Sequence, residues 1–149
     1  MNTLILVKPW AVQRGFIGEI LSRFEKRSIR IAALKVLKLS KNQAESLYAV
    51  HKGKPFYEDT VKHMTSSPIV AAVLETDMLD DESAVALVRK IVGATDPTKA
   101  EMGTIRGDLG MRKDRNVIHA SDSPESAEYE IPIFFGKQEV VTYPKQVID

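Results

Sequence analysis

Apolar positions along this chain recur with three different periods. Leu4-Ile5-Leu6-Val7, within Thr3 to Lys8, is apolar without alternation, which predicts a central strand buried on both faces. After Gly15, Ile17, Ile20, Leu21 and Phe24 recur at i, i+3, i+4 and i+7, with Glu19, Arg23 and Lys26 opposite. That spacing predicts an amphipathic helix ending near Ser28. Ile29 to Lys38 returns as a strand in which Ile31, Ala33 and Leu37 alternate against Arg30 and Lys38, with Lys35 out of step. Ser40 and Gln43 form a capping box for a short helix carrying Ala44, Leu47, Tyr48 and His51 on one face. Gly53 and Pro55 interrupt, and a second short helix is predicted over Tyr57 to Met64. Pro68 opens an apolar strand, Ile69 to Glu75. Asp80 to Glu82 supply the acidic first turn of a helix through Val92, with Ala84, Leu87, Val88 and Ile91 inward. Val117-Ile118 is the last predicted strand, and Ser123-Pro124 start a helix from about Glu125.

This order predicts an α/β (α+β) chain of ferredoxin-like type. It is a split βαβ sandwich whose four-stranded sheet carries helices on one face, with a helical insert between strands 2 and 3. A length of 149 residues predicts one domain over 1–149, because domains usually hold ~100–200 residues. No repeat, low-complexity tract or linker divides it.

Composition narrows the function classes. Lys and Arg number 21 against 20 Asp and Glu, a net charge of +1, so a broad basic face for long nucleic acid is not expected. A local basic pocket for one small anion is compatible with that balance. Cysteine is absent, which removes disulfides, thiolate zinc sites and a cysteine nucleophile and fits an intracellular protein. The apolar run at the N-terminus is too short for a signal core or a membrane span, so a cytoplasmic location is expected.

Periodicity lapses from Thr95 to Ser126, and long irregular segments in compact domains are usually functional. This one holds Gly103-Thr104-Ile105-Arg106-Gly107-Asp108, then Arg112, Arg115 and Asn116. Glycine permits close backbone approach, and arginine offers a planar fork of donors for phosphate oxygens. His119 follows Val117-Ile118 at a strand end and precedes a helix start, where an anion is stabilised. Its imidazole is a competent nucleophile near neutrality, and Glu125, Glu128 and Glu130 are candidates to orient it. His51 is expected half-buried on its helix, and His63, beside Lys62, at the surface. No pair of histidines has zinc-site spacing. The P-loop, the dinucleotide fingerprint and the protein-kinase motifs are missing.

Five blocks in order resemble the nucleoside diphosphate kinase family. They are Lys8-Pro9 with Val12-Gln13-Arg14-Gly15, then Lys54-Pro55-Phe56-Tyr57, Gly93-Ala94-Thr95-Asp96-Pro97, Gly103 to Asp108, and Asn116 to Ser123 continued by Glu125 to Glu128. The resemblance implies ping-pong transfer of a γ-phosphate between nucleotides, with His119 as the nucleophile that becomes phosphohistidine. It implies that Lys8, Arg106 and Asn116 hold the transferring phosphate and that Tyr48 contacts Lys8. Arg89 and Thr95 would bind the outer phosphates of a Mg2+-nucleotide, Tyr57 would stack on the base, and Ser121 and Glu130 would support the histidine. Mg2+ is implied as cofactor, held mainly by nucleotide phosphates rather than by protein side chains. A homo-oligomer, tetramer or hexamer, is implied too, and Val140, Val141, Tyr143, Val147 and Ile148 are the tail residues that could pack across subunits.

The chain departs from the family pattern at Trp10, where Asp or Asn usually follows Lys-Pro, and at Val50, which replaces a frequent carboxylate. Ser67 replaces a glycine, Lys113 an apolar residue, and the stretch Thr76 to Ser83 is longer. None of these removes a group implied to touch the transferring phosphate. The alternative reading is a ferredoxin-like nucleotide- or RNA-binding module without turnover. Such an RNA reader would carry aromatics on its middle strands, which are aliphatic here.

Overall fold

A computed structural model describes residues 2–76 and 80–144. The unalternating N-terminal run becomes β1 (Asn2–Val7), paired on one side with β3 (Ile69–Glu75) and on the other with β4 (Ile118–Ala120). The edge opposite β4 is β2 (Arg30–Leu37), so the sheet order is β2-β3-β1-β4 with every neighbour antiparallel. This is the expected ferredoxin-like sheet.

Helices cover both faces of that sheet, not one, and the reason lies in β1 and β3. Leu4, Leu6, Ala71 and Val73 pack on one side against α3 (Lys41–Leu47), α4 (Tyr57–Thr65) and the end of α7 (Pro124–Phe134). Ile5, Val7, Val70, Ala72 and Leu74 pack on the other, with α2 (Ile17–Glu25) and α5 (Asp81–Val92). A strand apolar on both faces needs a layer on each.

Two five-residue helices leave no periodic trace in the sequence, α1 (Pro9–Gln13) and α6 (Ile105–Leu109). Both are too short to show a 3.6-residue repeat. The helix from Ser40 also ends earlier than expected. The Ser40–Gln43 capping box forms, but α3 stops at Leu47, Tyr48 is its C-cap, and Ala49–His51 is a 3-10 turn.

Lys35 falls out of step because the β2–β3 register shifts between Ile31 and Ala33. The extra residue turns the following side chains over. Lys35 then reaches inward to the Phe134 carbonyl at 2.9 Å and Glu139 at 3.0 Å, while Leu34 and Val36 face solvent. Val141 donates its N–H to the Ala32 carbonyl, and the Tyr143 hydroxyl bonds the backbone of Ile31. Val147, Ile148 and positions 77–79 of the longer stretch lie outside the described residues.

Candidate active site

β4 brings His119 opposite Leu6 in the sheet, and α7 brings Glu130 beneath it. His119 Nε2 lies 2.8 Å from Glu130 Oε1, the oxygen that also accepts from Ser121 Oγ at 2.8 Å. A carboxylate at Nε2 selects the tautomer with its proton there and leaves the lone pair on Nδ1. Ser121 and Glu130 are both buried, so this geometry is held in a poorly solvated setting. The Ser123 hydroxyl caps α7 by accepting from Ser126 N–H at 3.0 Å, which fixes the turn between His119 and Glu130.

Four groups from distant segments bond to the backbone at or just before the strand that carries His119. Arg106 is buried on α6, where it donates to the Gly93 carbonyl at 3.1 Å and the Ile118 carbonyl at 2.9 Å. Its Nε is shielded from solvent and has no partner. Arg89, in the last turn of α5, donates to the Ala120 carbonyl at 3.2 Å. Asn116 donates to the Thr95 carbonyl at 2.8 Å and accepts from the Val117 N–H at 2.9 Å, so it pins the exposed Thr95 loop to the start of β4. Lys8 follows β1, its N–H bonded to the Val117 carbonyl at 3.0 Å.

The cations crowd one another. Burial first, and the Arg106 charge second, push the Lys8 ammonium down to about 8. Burial and neighbouring Arg89 likewise push Arg106 down to about 10. Among the described residues neither forms an ion pair with a carboxylate. An uncompensated cationic cluster of this kind is built for an anion.

α6 is anchored from outside the cleft. Arg23 on α2 bonds Asp108 at 2.8 Å and the Gly103 carbonyl at 3.2 Å, and Arg14 donates to the Leu109 carbonyl at 2.9 Å. The Arg14 guanidinium sits 4.5 Å from the Phe16 ring centroid and 5.9 Å from that of Trp10. Trp10 thus packs on α1 and meets the apolar layer of Val7 and Leu109. Gly93 has φ +95°, and a Cβ there would run into the Thr104 side chain, which itself caps α6 through Gly107 N–H. Glycine is what lets the Arg106 acceptor come this close.

One expected contact lacks its hydrogen bond. The Tyr48 ring meets His119 edge-on at 6.3 Å, but its buried hydroxyl has no hydrogen-bond partner, so it makes no bond to Lys8. Burial and the Glu130 charge raise its pKa. Tyr57 packs against the core and lines a groove between α3 and α4 with Lys41, Glu45 and Val61. Its neighbour Phe56 is the exposed ring, 5.3 Å from His51. His63, expected at the surface, is instead half-buried with a shielded Nε2. Pro68 and Ser66 around Ser67 are exposed, and Val50 is exposed on the 3-10 turn.

A sequence profile of the nucleoside diphosphate kinase family matches residues 1–140. The chain belongs to the nucleoside diphosphate kinase family. It is 50% identical over 142 residues to the nucleoside diphosphate kinase of Staphylothermus marinus, covering 95% of this chain and 97% of that one. It is also 50% identical over 146 residues to that of Thermomicrobium roseum, 98% and 95% covered. Among solved structures, the Aquifex aeolicus nucleoside diphosphate kinase superposes with a TM-score of 0.87 at 43% identity, covering 94% of this chain and 98% of that one. The Halobacterium salinarum family member, solved in complex with CDP, superposes with a TM-score of 0.90 at 37% identity over 97% and 93% of the two chains. The family fold therefore spans nearly the whole chain.

Proposed function

We propose that this protein is a nucleoside diphosphate kinase that moves a γ-phosphate from a nucleoside triphosphate to a nucleoside diphosphate in two steps through His119. The observation that carries the reading is the Glu130 carboxylate at His119 Nε2. With the proton held there, the Nδ1 lone pair attacks the γ-phosphorus, a P–N bond forms, and the bond to the bridging oxygen breaks. The first nucleoside diphosphate leaves with that electron pair. A terminal phosphate oxygen of the second diphosphate then attacks the phosphohistidine, and the P–N bond breaks back to Nδ1. Glu130 stabilises the cationic imidazole while the phosphate is on it, and Ser121 holds Glu130 in place.

Lys8, Arg106 and Asn116 serve the equatorial oxygens of the transferring phosphate, and Arg89 and Thr95 serve the outer phosphates. Phosphoryl transfer asks chiefly for such positioning and charge neutralisation. The donors around His119 are cationic, and among the described residues no group of three or more His, Cys, Asp or Glu is arranged to hold a metal. That donor set fits Mg2+ arriving on the nucleotide, held mainly by phosphate oxygens and supplying further charge neutralisation. Tyr57, at the start of α4, would stack on the base, with the exposed Phe56 ring beside it.

The same reading extends to assembly and place. β2 is an edge strand with Leu34 52% and Val36 65% exposed, which supports a homo-oligomer, tetramer or hexamer, built on that edge. The partners are nucleoside di- and triphosphates in the cytoplasm, not membranes or nucleic acid. No helix among the described residues is long and apolar enough to cross a membrane. Layers on both faces of the sheet leave no open strands for base stacking, which argues against the RNA-binding alternative.

The test is incubation with γ-labelled ATP followed by separation of the protein. Acid-labile, alkali-stable label is expected on the wild type and none on His119→Ala. Label persisting in that variant would remove His119 as the nucleophile.

A further inference from the structure

His63 is a histidine to which the family resemblance assigns no role. It lies on α4 four residues after Asp59, so the two share a face of the helix. Asp59 spans to Arg115 at 3.4 Å, which shows that this face meets the turn leading into Asn116. Lys8 is bonded to the next residue, Val117, through its backbone. His63 is therefore on the helix face that meets this turn, and Arg115 and Lys8 are both near enough for their charges to act on its ring. Its Nε2 is shielded from solvent and has no hydrogen-bond partner. A shielded polar nitrogen without a partner is costly, and native proteins usually keep one for a reason.

The charged groups that face the ring are known from each element around it. Arg115 and Asp114 come from the turn, Lys8 from the end of β1, and Asp59 from its own helix. Burial acts first, then Arg115 and Lys8, and together they outweigh Asp59 and Asp114 to hold the imidazole below its ordinary value of 6.5. In the nucleotide-free protein burial and, after it, the two cations therefore favour the neutral ring.

We propose that His63 is a positioning residue of the nucleotide cleft, neutral without ligand and protonated from solvent when a nucleotide's phosphates settle beside Lys8. The inference rests on the nucleotide reading above. The phosphate anions offset Lys8 and Arg115, the two cations that oppose protonation, so the imidazolium becomes acceptable and adds a positive charge to hold the bound phosphates. The proton comes from the medium, and no covalent bond changes. Linkage makes the coupling reciprocal: if binding raises proton affinity at His63, lower pH tightens binding through His63.

Two measurements decide it. Carbon-edited NMR of the histidine rings, assigned with His51→Gln and His63→Gln, follows the His63 midpoint with and without saturating ADP. A midpoint below 6.5 that rises by about one pH unit on ADP binding is expected. Titration calorimetry of ADP at pH 6.5 in two buffers of different ionisation enthalpy then counts protons. Wild type should take up more protons than His63→Gln, in which the amide nitrogen mimics Nε2 but cannot titrate. The variant should also lose about fivefold of the affinity gained between pH 7.5 and 5.5. Every other group that takes up a proton on ADP binding is common to both proteins, so the difference isolates His63. ADP binding with an unmoved His63 midpoint, or equal proton uptake in a folded variant, overturns this inference alone. ADP failing to bind wild type at all overturns the nucleotide reading with it. Should the variant not fold, the wild-type NMR titration still separates a midpoint that rises from one that stays.

Discussion

Glu130 Oε1 serves His119 Nε2 and Ser121 Oγ at once, each at 2.8 Å. One carboxylate oxygen thus sets the histidine tautomer, and a neighbouring hydroxyl sets the carboxylate. Glu130→Gln keeps the shape and removes the charge that balances a cationic phosphoimidazole. A hydrogen bond to a charged group contributes ~1.5–3 kcal/mol, so transfer should slow by about tenfold to a hundredfold with KM nearly unchanged. Single-turnover rates of His119 phosphorylation check this, and an unaltered rate would show the carboxylate to be structural only.

Lys8 is expected to trade stability for function. Burial and Arg106 bring it to about 8 from an ordinary 10.5. Its folded value is lowered, so its contribution to stability is present in full above 10.5 and lost as pH falls through about 8. Lys8→Met should therefore raise the unfolding free energy at pH 7 by about 2 kcal/mol while transfer falls by about a hundredfold or more. Denaturant melts and a coupled assay read both. In the wild type, nucleotide affinity should weaken as pH rises through about 8, where Lys8 loses its charge.

Phe56 and Tyr57 are adjacent but face differently, one exposed and one packed on the core. Tyr57→Ala should raise nucleotide KM by about tenfold, since stacking on an aromatic ring contributes ~1–3 kcal/mol, and lower stability by about 2 kcal/mol because the ring also packs on the core. Phe56→Ala should leave the melting temperature unchanged and KM nearly so. Steady-state kinetics and thermal melts of the two variants separate the roles. A raised KM in Phe56→Ala alone would make Phe56 the stacking residue.

Val36 stands on the open edge of the sheet, 65% exposed. Val36→Lys places a charge where a second chain would pair, and should shift the protein to a smaller assembly. Sedimentation velocity at micromolar concentration measures this. An unchanged assembly would move the subunit contact elsewhere.

Long periodic segments are legible in the sequence. β1, α2 and α5 stand where the spacing of Leu4 to Val7, Ile17 to Phe24 and Ala84 to Ile91 predicts them. The one-residue shift near Ala32 is not legible, because a bulge leaves only a broken alternation, visible as the misplaced Lys35. Nor is the difference in exposure between Phe56 and Tyr57, since successive residues at a helix start differ in direction by about a third of a turn. His63 reads as a surface residue beside Lys62. Its half-buried setting depends on tertiary packing around α4, which no local pattern encodes. Tyr48 fits the helical spacing of Ala44 and Leu47, yet the helix ends one residue before it. The cluster of Lys8, Arg89, Arg106 and Asn116 around His119 is suggested by motif order alone, because nothing in local spacing brings residues a hundred positions apart into one cleft.

Arg106 gives its hydrogen bonds to the carbonyls of Gly93 and Ile118, and it is this arginine, not a carboxylate, whose charge Lys8 feels most. The protein thus folds with like charges pressed together, and its substrate is their missing counterion. The consequence concerns survival as much as catalysis. Nucleotide supply would govern how long a molecule lasts, because ligand bound only to the native state stabilises it by mass action. A cell starved of nucleoside phosphates would hold this protein in its least stable form, the one most open to proteolysis.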